Sequence, residues 1–164
     1  MNRRTASVLT GMALVGLAIV ALPQLGYAQS SPPIGTWKLN LQKSEYIPGP
    51  APRSQTLNIT QDGQIVRDTV QQIDAAGNVS TGVIMHVYDG QPHPATGNPD
   101  IDATVITQVD ANPFGLIASR LKAGKLVQVG TFVISQDGKT LTITFTGINV
   151  NGQPVSSIAV YAKQ

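Results

Sequence analysis

The two histidines of the chain, His86 and His93, flank Asp89, with Asp100 and Asp102 a few residues further on. Imidazole and carboxylate together suit several divalent metals, so a metal centre would have to form in this stretch. Its spacing matches no ligand motif. The plainer reading is that Asp89-Gly90 is a turn and that Asp100 and Asp102 frame a loop end. We expect no metal site and no cofactor. Catalytic chemistry has equally little to draw on. The chain has no cysteine and no Gly-x-Ser-x-Gly. Its one glutamate, Glu45, removes a glutamate-pair hydrolase and leaves only an aspartate pair open. No glycine motif that cradles phosphate is present. The chain therefore reads as a protein other than an enzyme.

Arg67 and Arg120 are the other residues with chemical reach. Arg120 shares parity with Phe114, Leu116 and Ala118, so in a strand it lies on their face. If that face points inward, Arg120 can hold a ligand carboxylate. The plainer reading is a strand-end arginine reaching solvent. Arg67 alternates with Thr69 and Gln71 and reads as outward.

These residues need a scaffold, and its punctuation is regular. Turn signals stand at Asp62-Gly63, Ala76-Gly77-Asn78, Asp89-Gly90, Ala123-Gly124, Asp137-Gly138 and Asn151-Gly152. Asp-Gly and Asn-Gly favour tight hairpins because both residues tolerate positive φ. Between turns the residues are β-formers. Leu141, Ile143 and Phe145 alternate strictly with Thr142, Thr144 and Thr146. Leu57 and Ile59 alternate with Thr56, Asn58 and Thr60. Met85 shares parity with Val79, Val83 and Val87, while Ile84, His86 and Tyr88 take the other face. Nine strands are predicted, at 34–40, 54–61, 64–74, 79–88, 102–109, 114–121, 126–135, 139–147 and 156–162. The proline-rich segment from Asp89 to Asp102 is predicted to be a longer loop. A run of strands joined by short turns hides its edges by closing on itself. The expected fold is all-β, an antiparallel up-and-down β-barrel of about 8–9 strands; a two-sheet sandwich is the alternative.

Composition at first points to an acidic partner: 11 Lys plus Arg stand against 9 Asp plus Glu, with a sequence pI near 9.0. The N-terminus changes that. Arg3 and Arg4 precede an apolar run from Val8 to Leu22, and Gly26-Tyr27-Ala28 supplies the small residues of a signal-peptidase site. The run is too short for the roughly 20 residues of a spanning helix. Residues 1–28 are thus expected to be a secretory signal peptide, cleaved after Ala28, with a short arm at 29–33 and one barrel domain over 34–164. Cleavage removes two basic residues and no acid, leaving nine of each. The basic residues that remain form no stripe, so no nucleic acid is expected as a partner. After cleavage no stable membrane anchor remains. The destination would be periplasmic or secreted.

The first strand carries Gly35-Thr36-Trp37-Lys38-Leu39-Asn40, followed by Lys43-Ser44 and Pro48-Gly49-Pro50-Ala51-Pro52. Tyr88-Asp89-Gly90 and Thr96-Gly97-Asn98-Pro99-Asp100 come next. The chain closes on Ser135-Gln136-Asp137-Gly138-Lys139-Thr140-Leu141-Thr142 and Val160-Tyr161-Ala162-Lys163. This ordered set resembles the small secreted bacterial lipocalin-like proteins of the calycin superfamily, over nearly all of residues 33–164. The resemblance implies a barrel, plugged at one end by Gly35 and Trp37, with Lys163 packed across the indole. It also implies a pocket for a small apolar or amphiphilic molecule. Candidate lining residues are Leu57, Ile59, Met85, Arg120, Leu141, Ile143, Phe145, Ile158 and Val160, with the Asp89–Asp102 loop as lid or mouth. The alternatives are a protein-interaction barrel, such as a periplasmic inhibitor using residues 29–33 and 47–53 as an arm, and a small-molecule enzyme.

Overall fold

At each of the six turn signals the chain reverses through a glycine of positive φ, between +57° and +99°. The computed structural model describes residues 32–108 and 115–164. Its strands are β1 (Gly35–Leu39), β2 (Glu45–Ile47), β3 (Ser54–Asp62), β4 (Ile65–Ile73), β5 (Val79–His86), β6 (His93–Thr96), β7 (Ala103–Gln108), β8 (Gly115–Lys122), β9 (Lys125–Ile134), β10 (Thr140–Ile148) and β11 (Pro154–Lys163). One 3-10 helix, Leu41–Lys43, is the only helix among the described residues. The predicted signal peptide, and Phe114 with its neighbours 109–113, lie outside them.

From β3 to β11 every strand pairs antiparallel with the next, and β1 joins β3 to β11. The sheet is therefore a closed up-and-down barrel. β1 and β2 share one position in the ring. β1 pairs with one end of β11 (Trp37↔Lys163, Leu39↔Tyr161), and β2 pairs with the other (Glu45↔Ile158, Ile47↔Ser156). Asn40 makes the break between them: its Oδ1 accepts from the amides of Gln42 and Lys43 at 3.1 and 3.3 Å. Ser44 ties the break to β11, its Oγ accepting from Val160 N at 2.9 Å.

The ring thus has ten positions, not the eight or nine expected. The nine predicted strands are all present within a few residues of their predicted bounds. The two extra ones, β2 and β6, are short and border prolines, which remove ladder donors and blunt the β signal. The predicted long loop from Asp89 to Asp102 accordingly contains β6. β6 meets β5 at Val83↔Thr96 and Ile84↔Ala95, and β7 at His93↔Thr104 and Pro94↔Ala103.

Alternation sends one face of each strand inward. Trp37, Leu39, Leu57, Ile59, Val66, Ile106, Leu141 and Tyr161 are among the buried residues of one continuous core. Where β1 meets the end of β11, Trp37 is 1% exposed and its Nε1 donates to Pro33 O at 2.7 Å. Lys163 Nζ stands 5.3 Å from the centre of the indole, within cation–π range. Gly35 makes room for it. Its φ is +129°, and a Cβ there would lie 3.2 Å from Lys163 Cε.

Candidate functional site

The inner residues shrink along β11. Tyr161 faces Leu141, Ala159 faces Ile143, and Ser157 faces Phe145. Small side chains opposite large ones leave space, and a cavity of about 250 Å³ opens there. Leu57, Val70, Ile84, Ile101, Phe132, Ile143 and Phe145 give it apolar walls. Tyr46, Gln55, Asp68, Gln72, Arg120 and Tyr161 give it polar ones. A second hollow of about 230 Å³ adjoins it and shares Tyr46, Asn98, Arg120, Phe145 and Ser157. Arg120 and Phe145 therefore stand between an inner chamber and an outer vestibule.

Arg120 is held by a chain of local causes. Gly130 on β9 lies opposite both Ala118 and Phe145. A Cβ at Gly130 would fall 1.9 Å from Thr144 O and 2.5 Å from Phe145 Cδ1. Only glycine lets the Phe145 ring lie across that strand. The Arg120 guanidinium then stacks on Phe145, its carbon 3.3 Å from the ring centre. Its ladder partner Gln128 accepts from Nη1 at 3.0 Å and donates through Nε2 to Ile148 O at 3.3 Å. Arg120 Nε is buried and has no protein partner. Burial lowers the Arg120 pKa to about 10, so the group stays cationic at neutral pH.

Across the cavity, Asp68 is 3% exposed and its Oδ1 has no protein partner. Burial raises its pKa to about 7, against the opposing pull of Arg120. No ion pair within 4.0 Å joins the two among the described residues. His86, also 3% exposed, places Nδ1 4.0 Å from Asp68 Oδ2 without a hydrogen bond. Burial, with a smaller contribution from His93, lowers the His86 pKa to about 4 and keeps the ring neutral. Burial also pushes Tyr46 up to about 12 and raises Tyr88 and Tyr161, so all three phenols keep their protons. Tyr161 donates to Gln55 Oε1, and Gln55 Nε2 donates to Gln72 Oε1 at 2.7 Å. The hydroxyls of Tyr46 and Tyr88 are buried and unpartnered.

Of the residues singled out from sequence, Leu57, Arg120, Ile143 and Phe145 line the cavity. Arg120 turns inward onto Phe145 and is half-buried, its Nε shut off from solvent while the side chain as a whole lines both hollows. Ile59 and Leu141 are 1% and 0% exposed and belong to the packed core instead. Three placements need correction. Met85 is 40% exposed on the outer face of β5, because β4 pairs Val66 with His86 and Asp68 with Ile84 and so turns the even-numbered residues inward. Ile158 is 41% exposed, and Val160 shares its face, because β11 turns Ser157, Ala159 and Tyr161 inward. Gly35, Trp37 and Lys163 come together where β1 meets the end of β11, as described above.

The acids of the 89–102 segment serve as fasteners. Asp89 Oδ1 meets His93 Nε2 at 2.9 Å, Asp100 Oδ1 accepts from Val150 N at 2.9 Å, and Asp102 Oδ2 accepts from Ala123 N at 2.9 Å. Among the described residues no three His, Asp or Glu side chains converge as metal ligands. Thr96, Gly97, Asn98 and Ile101 of the same segment form part of the cavity wall.

Asp68 was missed from sequence, although a signal was present. Val66, Asp68 and Val70 alternate with Arg67 and Thr69, and that parity puts the carboxyl on the apolar face.

These features define a closed antiparallel β-barrel with a mixed polar and apolar interior cavity. No protein-family model matches the chain. No curated protein matches it either. Among solved structures it is similar to the zebrafish ileal bile acid-binding protein complexed with cholic acid. That likeness has a TM-score of 0.47 and 15% identity, and it covers 80% of this chain and 98% of that one.

Proposed function

We propose that the barrel binds a small amphiphilic molecule in its interior, with an acidic or other acceptor group on Arg120 and an apolar body against Leu57, Val70, Phe132 and Ile143. The observation that supports this most is a cavity whose wall combines apolar side chains with an Arg120 Nε that has no protein partner. A buried donor left unpaired costs about 1–3 kcal/mol, and more when charged, so an acceptor arriving there binds with gain. Size narrows the choice. An apolar cavity of about 150 Å³ takes a benzene, so a cavity of about 250 Å³ takes on the order of ten non-hydrogen atoms. The leader-like residues 1–28 support export to the periplasm or beyond.

Titration calorimetry with straight-chain alkanoates of four to ten carbons tests the reading. Saturable one-to-one binding is expected, and Arg120→Met should weaken it about tenfold to a hundredfold. Absence of binding at millimolar concentration across this panel and its ω-hydroxylated counterparts would end the proposal. Export is checked separately: N-terminal sequencing of the protein from the exported fraction should begin at Gln29.

Asp68 favours a second reading, since a buried carboxyl titrating near neutrality beside a cavity is a usual general base. Mass analysis of the bound molecule after incubation separates the two: an unaltered ligand speaks for carriage, a converted one for catalysis.

A further inference from the structure

Resting on that reading, we propose that the ligand is a small hydroxylated acid, its acidic group on Arg120 and its hydroxyl donating to Asp68. The argument starts from what a purely apolar tail would leave behind. Asp68 lines the cavity, is 3% exposed, and its Oδ1 has no protein partner. A hydrocarbon pressed against it would bury an acceptor dry, which is unfavourable whether the carboxyl is ionised or not. The body of the ligand must therefore carry a donor where it meets β4.

The kind of donor follows from the surroundings. An ammonium would share a chamber of about 250 Å³ with the Arg120 cation, and the two like charges would repel. A hydroxyl carries no charge, and it can donate to a carboxylate or to the carbonyl oxygen of a protonated carboxyl. Arg120 and Asp68 face the same space without forming an ion pair within 4.0 Å. One molecule lying between them can satisfy both, with Tyr46 Oη as a further unpartnered group beside Arg120.

Calorimetry with three matched probe series tests this: unsubstituted alkanoates, ω-hydroxyalkanoates and ω-methoxyalkanoates of four, six and eight carbons. The methoxy group keeps the oxygen and removes the donor. At one chain length or more, the hydroxy acid should bind about tenfold more tightly than both counterparts. In Asp68→Leu that preference should vanish while the unsubstituted acid still binds. Should Asp68→Leu fail to fold, the probe comparison on the unaltered protein decides alone. If no length favours hydroxyl over methoxy, the inference is overturned and the binding reading stands. If no probe of any series binds, the binding reading itself has failed.

Discussion

Asp68 and His86 are buried neighbours whose pKa values move in opposite directions, and stability should record both. Between about pH 4 and 6.5 the folded chain keeps the Asp68 proton that the unfolded chain has lost. Over the same range it lacks the His86 proton that the unfolded chain holds. The first makes stability fall as pH rises, and the second makes it rise. In the unaltered protein the two slopes largely cancel. Asp68→Asn should unmask the His86 slope, a gain of about 1.4 kcal/mol per pH unit from pH 4 to 6.5. His86→Gln should do the reverse, with stability falling from about pH 4 and levelling off above about pH 7. Urea titrations at half-unit steps check both, and parallel profiles in the two variants would refute the assignment. Single residues were only partly legible in the sequence. Arg120 was half legible: its parity with Leu116 and Ala118 pointed inward, but Ile117 and Leu121 on the other face left the solvent-reaching reading the plainer one. The face of β5 could not, because Val83 and Met85 on one side rival Ile84 on the other. Only the pairing with β4 decides that His86 goes in.

At the scale of strands, the ladder is uneven. β10 and β11 pair from Thr140↔Ala162 to Ile148↔Pro154, whereas β6 touches each neighbour at two adjacent positions. Hydrogen exchange should therefore be fastest within the ring at β6, and slowest in β9 to β11. Equal protection around the ring would contradict this. Because Thr96, Gly97 and Asn98 border the cavity, the loosest strand is also where a ligand has the least sheet to displace. The Gly130–Phe145 crossing makes a second prediction. Gly130→Ala should destabilise the fold by about 3 kcal/mol, since backbone as well as ring must give way, and should weaken alkanoate binding by displacing the Arg120 stack. Long strands were legible because turn glycines and β-formers agree about them. β2 and β6 were not, since three or four residues beside prolines carry too little pattern to register.

For the whole molecule, closure depends on one join. β1 and β11 are the strands furthest apart in sequence, and Trp37, Gly35 and Lys163 lock them together. Lys163→Ala should cost about 1 kcal/mol in thermal denaturation, and Lys163→Arg should retain most of it. An unchanged melting temperature in Lys163→Ala would show that the cation contributes nothing. That the ends would meet was implied only by the resemblance that Gly35-x-Trp37 and the late lysine help to carry. The cavity was not, because it depends on which face of β11 is small, and Ser157 and Ala159 give no signal until their partners are known. The join has a further consequence. A barrel opened there presents two raw edges, and each is the natural partner of the other. A second opened copy offers the same pair, so the last strand of one molecule can complete the first of its neighbour. Weakening the join would then yield exchanged dimers at high concentration before it yields unfolded chains.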